Sequence, residues 1–237
     1  MLFVGALVVW AVTVAFDRRL RALHLYACAW ASLYTYVFPY WTVRVRDRGR
    51  IRDGATYVLV ANHQSLLDIL VLFRLYKHFK WVSKESIFRV PFIGWNMSLN
   101  RYIAIRRGDR SDAQRMMAAC GAALEGGSSI MIFPEGTRSP DGELHGFRHG
   151  AFTLALRHHV PILPIVLDGT LDALPKHGLT LHERADIVIQ VLEPIATDGF
   201  ADADALRDHV HQVMATALAR VRAERVGAPR NRRVAAR

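Results

Sequence analysis

Cysteine is scarce: the 237 residues carry only Cys28 and Cys120. Two cannot build a disulfide framework or a cysteine metal cage, and both sit in apolar or helical contexts, so they read as reduced packing residues. Lysine is scarce too. Of 31 basic residues only Lys77, Lys80, Lys84 and Lys176 are lysines, the rest being arginines. There is no G-x-S-x-G elbow, which argues against the common lipase design, and no Walker A or G-x-G-x-x-G pattern, which argues against the usual nucleotide loops. No internal repeat and no long low-complexity linker interrupts the chain. His145-x3-His149 contains Gly146 in a loop-like stretch, so it does not form a helical metal pair; with His158 and His159 these read as surface histidines, and no metal site is expected.

What is present is oil and positive charge. Hydrophobic residues make up 51%, enough for a sizeable core, and the formal net charge is +10 with a pI of about 10.2. That balance suits nucleic acid, anionic lipid or phosphorylated substrates, and charge alone does not choose among them. The first sixteen residues, MLFVGALVVWAVTVAF, are uncharged. As a helix they span ~24 Å, short of the ~30 Å hydrocarbon core. They have neither the basic start nor the small-residue cleavage site of a signal peptide. A two-span hairpin would put Arg18, Arg19 and Arg21 on the far face, against the positive-inside tendency. Two amphipathic or re-entrant helices lying in one leaflet are therefore expected, with a transmembrane segment or a buried core pair as the alternatives. Trp30, Tyr34, Tyr36, Tyr40 and Trp41 suit the headgroup level. The arginine-rich end, residues 226–237, reads as a basic, disordered tail.

Extended runs fall at 56–61, 79–83, 101–105, 128–133, 160–167 and 185–192, with helical patterns between them, clearest at 111–125, 147–158 and 202–224. Strands alternating with helices predict an α/β fold: a mixed, largely parallel sheet flanked by helices, preceded by the membrane-docking helix pair. Ligands of such sheets gather beyond the carboxyl ends of strands. Three polar clusters stand there: NHQSLLD (62–68), RRGDR (106–110) and PEGTRS (134–139).

The first cluster follows the apolar run TYVLV, where unpaired polar groups are costly. Ser65-Leu-Leu-Asp68 resembles a capping box with Asp at its third position, which accounts for Ser65 and Asp68 but not for His63. On one continuous helix His63 and Asp68 would stand ~140° apart. A helix that starts only at Ser65 lets the chain fold back, so that the carboxylate can reach the imidazole. An Asp on a His fixes its tautomer and stabilises the imidazolium, which suits a general base. Gly136 and Thr137 in a turn beside Arg138 suit a phosphate, and Arg106, Arg107 and Lys84 add charge at neighbouring strand ends.

Asn62, His63-x4-Asp68, then Arg106, then FPEGTRS, then VPILPI resemble, in order, the four motifs of the 1-acylglycerol-3-phosphate acyltransferases, also called lysophosphatidic acid acyltransferases. The resemblance covers roughly residues 55–170. It implies transfer of a fatty acyl group from acyl-CoA or acyl-carrier protein to a lyso-lipid hydroxyl, giving phosphatidic acid, with no cofactor. It implies that His63 is the general base and Asp68 its orienting partner. Lys84, Arg106 or Arg107, Glu135, Gly136, Thr137 and Arg138 would bind the acceptor phosphate, and Val160, Pro161 and Pro164 would form part of an acyl pocket. The implied organisation is a membrane-associated helix pair at 1–45, an acyltransferase domain at 46–225 and the tail. The implied setting is the bacterial inner membrane, with the catalytic domain facing the cytoplasm and the bilayer, the lyso-lipid and the acyl donor as partners; nucleic acid is not expected. The chain departs from the family where Ile105 replaces an acid before Arg106, and where Gly146-Phe147-Arg148 stands for the usual Pro-Phe-Lys. The same transfer onto another acceptor, such as a lyso-ornithine lipid, and a non-catalytic basic membrane- or nucleic-acid-binding module are the alternative readings.

Overall fold

The computed structural model describes residues 2–38, 40–106, 110–174, 182 and 184–227. In chain order the elements are α1 (Leu2–Thr13), α2 (Arg21–Tyr36), β1 (Trp41–Arg46), β2 (Val58–Ala61), α3 (Leu67–Leu72), β3 (Phe79–Lys84), α4 (Glu85–Phe88), α5 (Ile93–Leu99), β4 (Ile103–Ile105), α6 (Arg110–Glu125), β5 (Ser129–Ile132), α7 (Gly150–Arg157), β6 (Ile162–Asp168), α8 (Thr170–Ala173), β7 (Ala185–Val191) and α9 (Ala203–Gly227). The seven strands lie in the order β1-β7-β6-β2-β5-β3-β4. Only β6 and β7 pair antiparallel; the other neighbours are parallel. The carboxyl ends of β2, β3, β4, β5 and β6 therefore share one edge of the sheet.

Alternate residues of the central strands face opposite layers, as the pleat requires. Leu59, Ala61, Met131, Leu163, Ile165 and Leu167 pack with α2 and α3, while Val58, Val60, Ile130, Ile162 and Val166 pack with α6, α7 and α9. With both faces covered, β2 and β6 are buried along their whole length, so their sequences are continuous apolar runs. Cys28 and Cys120 are fully buried, one in each layer, and burial pushes both thiols up to about 12.

The sheet opens at Trp41 rather than at residue 46. WTVRVR alternates apolar and polar residues, and as β1 it pairs with β7 at the sheet edge. Trp41, expected among lipid headgroups, is buried; its ring stacks on Phe38 and its Nε1–H donates to the His182 carbonyl at 2.9 Å. At the other end α9 runs on to Gly227, and the rest of the expected tail, 228–237, lies outside the described residues.

The two N-terminal helices differ. In α2, Leu23, His24, Ala27, Cys28 and Ala31 are buried against the body. His24 is fully enclosed; its Nδ1 meets the Tyr102 hydroxyl at 2.8 Å and its Nε2 the Lys77 carbonyl at 3.0 Å. In α1 only Ala6 is buried, while Val4, Val8 and Val12 are each more than half exposed. Among the described residues no helix is long and apolar enough to cross a membrane.

Candidate active site

The polar stretch after β2 is held by a bond for nearly every group. Asn62 copies a strand rung: its amide donates to the Leu167 carbonyl at 2.9 Å and accepts the Leu167 N–H at 2.7 Å. Gln64 donates to the Leu167 and Gly142 carbonyls. Ser65 Oγ donates to the Leu174 carbonyl and accepts the Leu67 N–H. These residues pin the loop to β6 and satisfy backbone groups that burial would otherwise strand.

Helix α3 starts after the fold-back, so Asp68 reaches His63. Asp68 is fully buried, and its Oδ2 accepts His63 Nδ1 at 2.8 Å together with the backbone N–H groups of Gln64 and Ser65 at 2.6 and 2.9 Å. One carboxylate thus reaches both the histidine ring and the backbone N–H groups that lead into α3. Its Oδ1 accepts the hydroxyl of Thr170, which is also fully buried. The His63 ring stacks on Phe133 at 4.0 Å and 12°. With Nδ1 engaged, Nε2 is left without a hydrogen-bond partner among the described residues, and His63 lines a cavity of about 950 Å³.

The cavity walls are mostly apolar: Leu70, Phe73, Trp81, Ile87, Met97 and Phe133 are among them. One side is basic. Lys84, Gly136, Thr137, Arg138 and Arg148 line it beside His63. Gly136 has φ +73°, and a Cβ there would strike the Arg148 side chain, so this turn needs glycine to bring backbone and guanidinium together.

Residues 42–168, more than half of the chain, match the family model described as "Acyltransferase". The chain belongs to the acyltransferase family. It is 36% identical over 219 residues, 92% of its length, to a 1-acyl-sn-glycerol-3-phosphate acyltransferase of Chlamydomonas reinhardtii, and 30% identical over 197 residues, 82% of its length, to one of Limnanthes douglasii, covering 65% and 68% of those proteins. Among plant relatives of higher similarity the chain spans only about half their length, 52% in Brassica napus and 49% in Arabidopsis thaliana. The crystal structure of the 1-acyl-sn-glycerophosphate (LPA) acyltransferase PlsC from Thermotoga maritima superposes with a TM-score of 0.78 at 25% identity, covering 93% of this chain and 89% of that one.

The residues singled out from sequence divide by their place relative to the cavity. His63, Lys84, Gly136, Thr137 and Arg138 meet at the cavity, with Asp68 behind His63. Arg106 stands beside it: Ile105 lines the cavity, while the Arg106 guanidinium bonds Glu85 at 2.9 and 3.3 Å and holds that carboxyl down at about 2 together with Arg89. Arg107 lies outside the described residues.

Two expectations are corrected. Glu135 does not line the cavity. It is buried, and its carboxyl accepts the His63 N–H at 2.8 Å and the His145 N–H at 3.3 Å, so it braces two loops, where a carboxylate facing a phosphate would repel it. Burial raises it to about 7 against those two bonds. Val160, Pro161 and Pro164 do not line the cavity either. The Pro161 carbonyl accepts the Val58 N–H at the start of β2, the end of the strand opposite His63. Val160 packs on the α7–α9 side. Pro164 lies inside β6 opposite Val60 of β2, and its carbonyl accepts the Leu192 N–H at 2.9 Å just before the first β6–β7 pair at Ile165.

Thr170 and Arg148 were not read as site residues. Thr170 lies 102 residues from Asp68 in sequence, and no local spacing marks it. Its one sign is Gly169 before it: φ is +93° there, and a Cβ would collide with the Asp186 carbonyl. Arg148 showed only as a departure from the family's lysine. Three histidines outside the site pair with carboxylates, His145 with Asp141, His149 with Asp204 and His158 with Glu125.

Proposed function

We propose that this protein transfers a fatty acyl group from an acyl thioester, on CoA or acyl-carrier protein, to the free hydroxyl of 1-acylglycerol 3-phosphate, giving phosphatidic acid at a bilayer surface. The observation that carries this reading is His63, clamped through Nδ1 by a buried carboxylate, its Nε2 without a hydrogen-bond partner among the described residues, at a large apolar cavity that has one basic wall. Nε2 takes the proton of the acceptor hydroxyl as its oxygen attacks the thioester carbonyl carbon. Asp68 stabilises the imidazolium formed. The thiolate leaves readily, its conjugate acid having a pKa near ~8.5, and takes the proton back. No covalent acyl-enzyme is needed. Lys84, Arg138 and Arg148 with the Gly136–Thr137 turn supply the phosphate side, and the apolar walls take acyl chain. Helix α1, with its exposed valines and leucines, is the part of the N-terminal pair suited to lie in the leaflet.

The test is transfer of labelled acyl groups from each donor to lysophosphatidic acid, by wild type and by His63→Ala. Wild type should form phosphatidic acid, and the variant should lose about 10²–10⁴-fold in kcat, as removal of a general base does. Retained turnover in the variant would refute the role of His63. Equal use of a lyso-lipid lacking phosphate would refute the acceptor assignment, since the basic wall would then have no partner to recognise.

A further inference from the structure

The turn between α4 and α5 is tightly built, yet it presents apolar side chains outward. Phe92 holds φ 63° and ψ −49°, a conformation that bulky residues rarely adopt. The Gly94 N–H donates to the Val90 carbonyl at 2.7 Å, and Gly94 packs so closely on the Phe88 carbonyl that no Cβ fits. Strain of this kind is ordinarily held in place by what surrounds it and marks a function. No core is gained here, because Val90, Phe92, Ile93 and Trp95 are 42%, 64%, 52% and 49% exposed.

These side chains join a larger surface. Phe3 of α1 has its ring 6.3 Å from Phe92 and 5.5 Å from Trp95. Beyond Phe3, α1 continues the apolar surface through Val4, Leu7, Val8 and Val12. Leu2 and Phe3 of α1 and Phe92 and Ile93 of the turn all line the cavity, and Leu2, Phe92 and Ile93 are also exposed, so they stand where it meets solvent. At the base of the turn the Arg89 side chain, 74% exposed, pairs with Glu85 at 3.0 Å. An apolar rim around a cavity for an acyl chain matches the apolar depth of a lipid leaflet.

We infer that residues 90–95 form a second lipid-contact element, entering the same leaflet as α1, so that both lips of the cavity mouth stand at acyl-chain depth. A lyso-lipid tail then passes from leaflet to cavity without crossing water. The inference rests on the lyso-lipid reading above, and its test reads insertion as well as turnover.

The full-length protein with Val90→Cys is labelled with a polarity-sensitive fluorophore, Cys28 and Cys120 being buried. It is then mixed with vesicles of phosphatidylglycerol and phosphatidylethanolamine, with Val8→Cys on α1 as the reference. Emission from position 90 should shift to the blue and be quenched by brominated acyl chains, as at position 8. The unlabelled double variant Val90→Asp/Trp95→Gln changes two residues that do not line the cavity. It should lose vesicle binding and turnover of bilayer lyso-lipid several-fold, and keep its melting temperature and its turnover of a monomeric short-chain lyso-lipid. A water-like signal at position 90 while position 8 shifts would overturn the inference. So would a blue shift that grows with protein concentration and needs no vesicles, since a second copy would then cover the turn. If no lyso-lipid is acylated, the fluorophore still reports insertion, so the two readings fail separately.

Discussion

At the residue scale the centre of the site is a buried carboxylate, and its cost is offset by its donors. Asp68 gathers the His63 ring, two backbone N–H groups and the Thr170 hydroxyl. Three of these come from its own loop and arise as soon as the chain folds back. The fourth comes from α8 and holds Oδ1, which has no other partner among the described residues. Thr170 is thus a positioning residue that acts through Asp68. A hydrogen bond to a charged group is worth ~1.5–3 kcal/mol, so Thr170→Val should lower kcat by roughly 10–100-fold with KM little changed. Thr170→Ser should restore most of the rate. That rescue decides the matter: serine keeps the hydroxyl that bonds Asp68, whereas a role in packing alone would be kept by valine and not restored by serine. His63 and Asp68 were legible in sequence because a polar pair in an apolar run needs a reason and because their motif has company. Thr170 was not, because nothing local distinguishes a threonine that bonds across the fold. Glu135 was legible as important yet wrongly placed, since its motif neighbours face the cavity while its own carboxyl turns inward to two backbone amides.

At the scale of elements, α2 is tied to the body by groups that must stay neutral. His24 sits fully enclosed near His78 and Lys80; burial, then their charges, hold it well below 6.5. Burial likewise takes His78 down to about 4, with the nearby Lys80 adding to the effect. Both folded values lie below the unfolded one, so the unfolded chain binds more protons as the solution becomes acidic. The stability they contribute is intact above about 6.5 and is lost as pH falls toward about 4. At its steepest each histidine removes ~1.4 kcal/mol per pH unit, or about 3–5 °C in melting temperature for a domain of this size. His78→Gln should therefore flatten the fall in melting temperature between those pH values, and hydrogen exchange should show α2 losing protection in that window. A variant with the wild-type slope would mean that this cluster is not what acid attacks. Six of the seven strands and the three long helices of the body were readable from periodicity and turn residues. The strand β1 was not. Its alternation is clear, but Trp41 ends a run of aromatics, and that run reads as a lipid-facing pair until the pairing with β7 is seen.

At the scale of the molecule the N-terminal forty residues are two things. Composition treats them as one oily appendage, and on that view removing both helices leaves the body intact. The packing says otherwise. Ala27, Cys28 and Ala31 of α2 belong to the same core as Leu59, Met131 and Leu163 of the sheet, and His24 bonds to Tyr102 and Lys77. Helix α1 leaves its valines outside and buries only Ala6. Removing residues 2–16 should lower the melting temperature by only a few degrees, because little buried apolar area is lost. It should also release much of the protein from vesicles. Removing residues 2–36 takes away a helix that covers the sheet, and each buried alanine- to leucine-sized side chain lost leaves its neighbours facing water at ~1.5–3 kcal/mol for the larger ones. Against a total stability of ~5–15 kcal/mol that is enough to unfold the domain. Differential scanning calorimetry with a vesicle flotation assay separates the cases. A folded protein without α2 would restore the single-appendage view. A shorter deletion that floats as well as the full chain would show that α1 is not the membrane element and would leave lipid contact to the turn at 90–95.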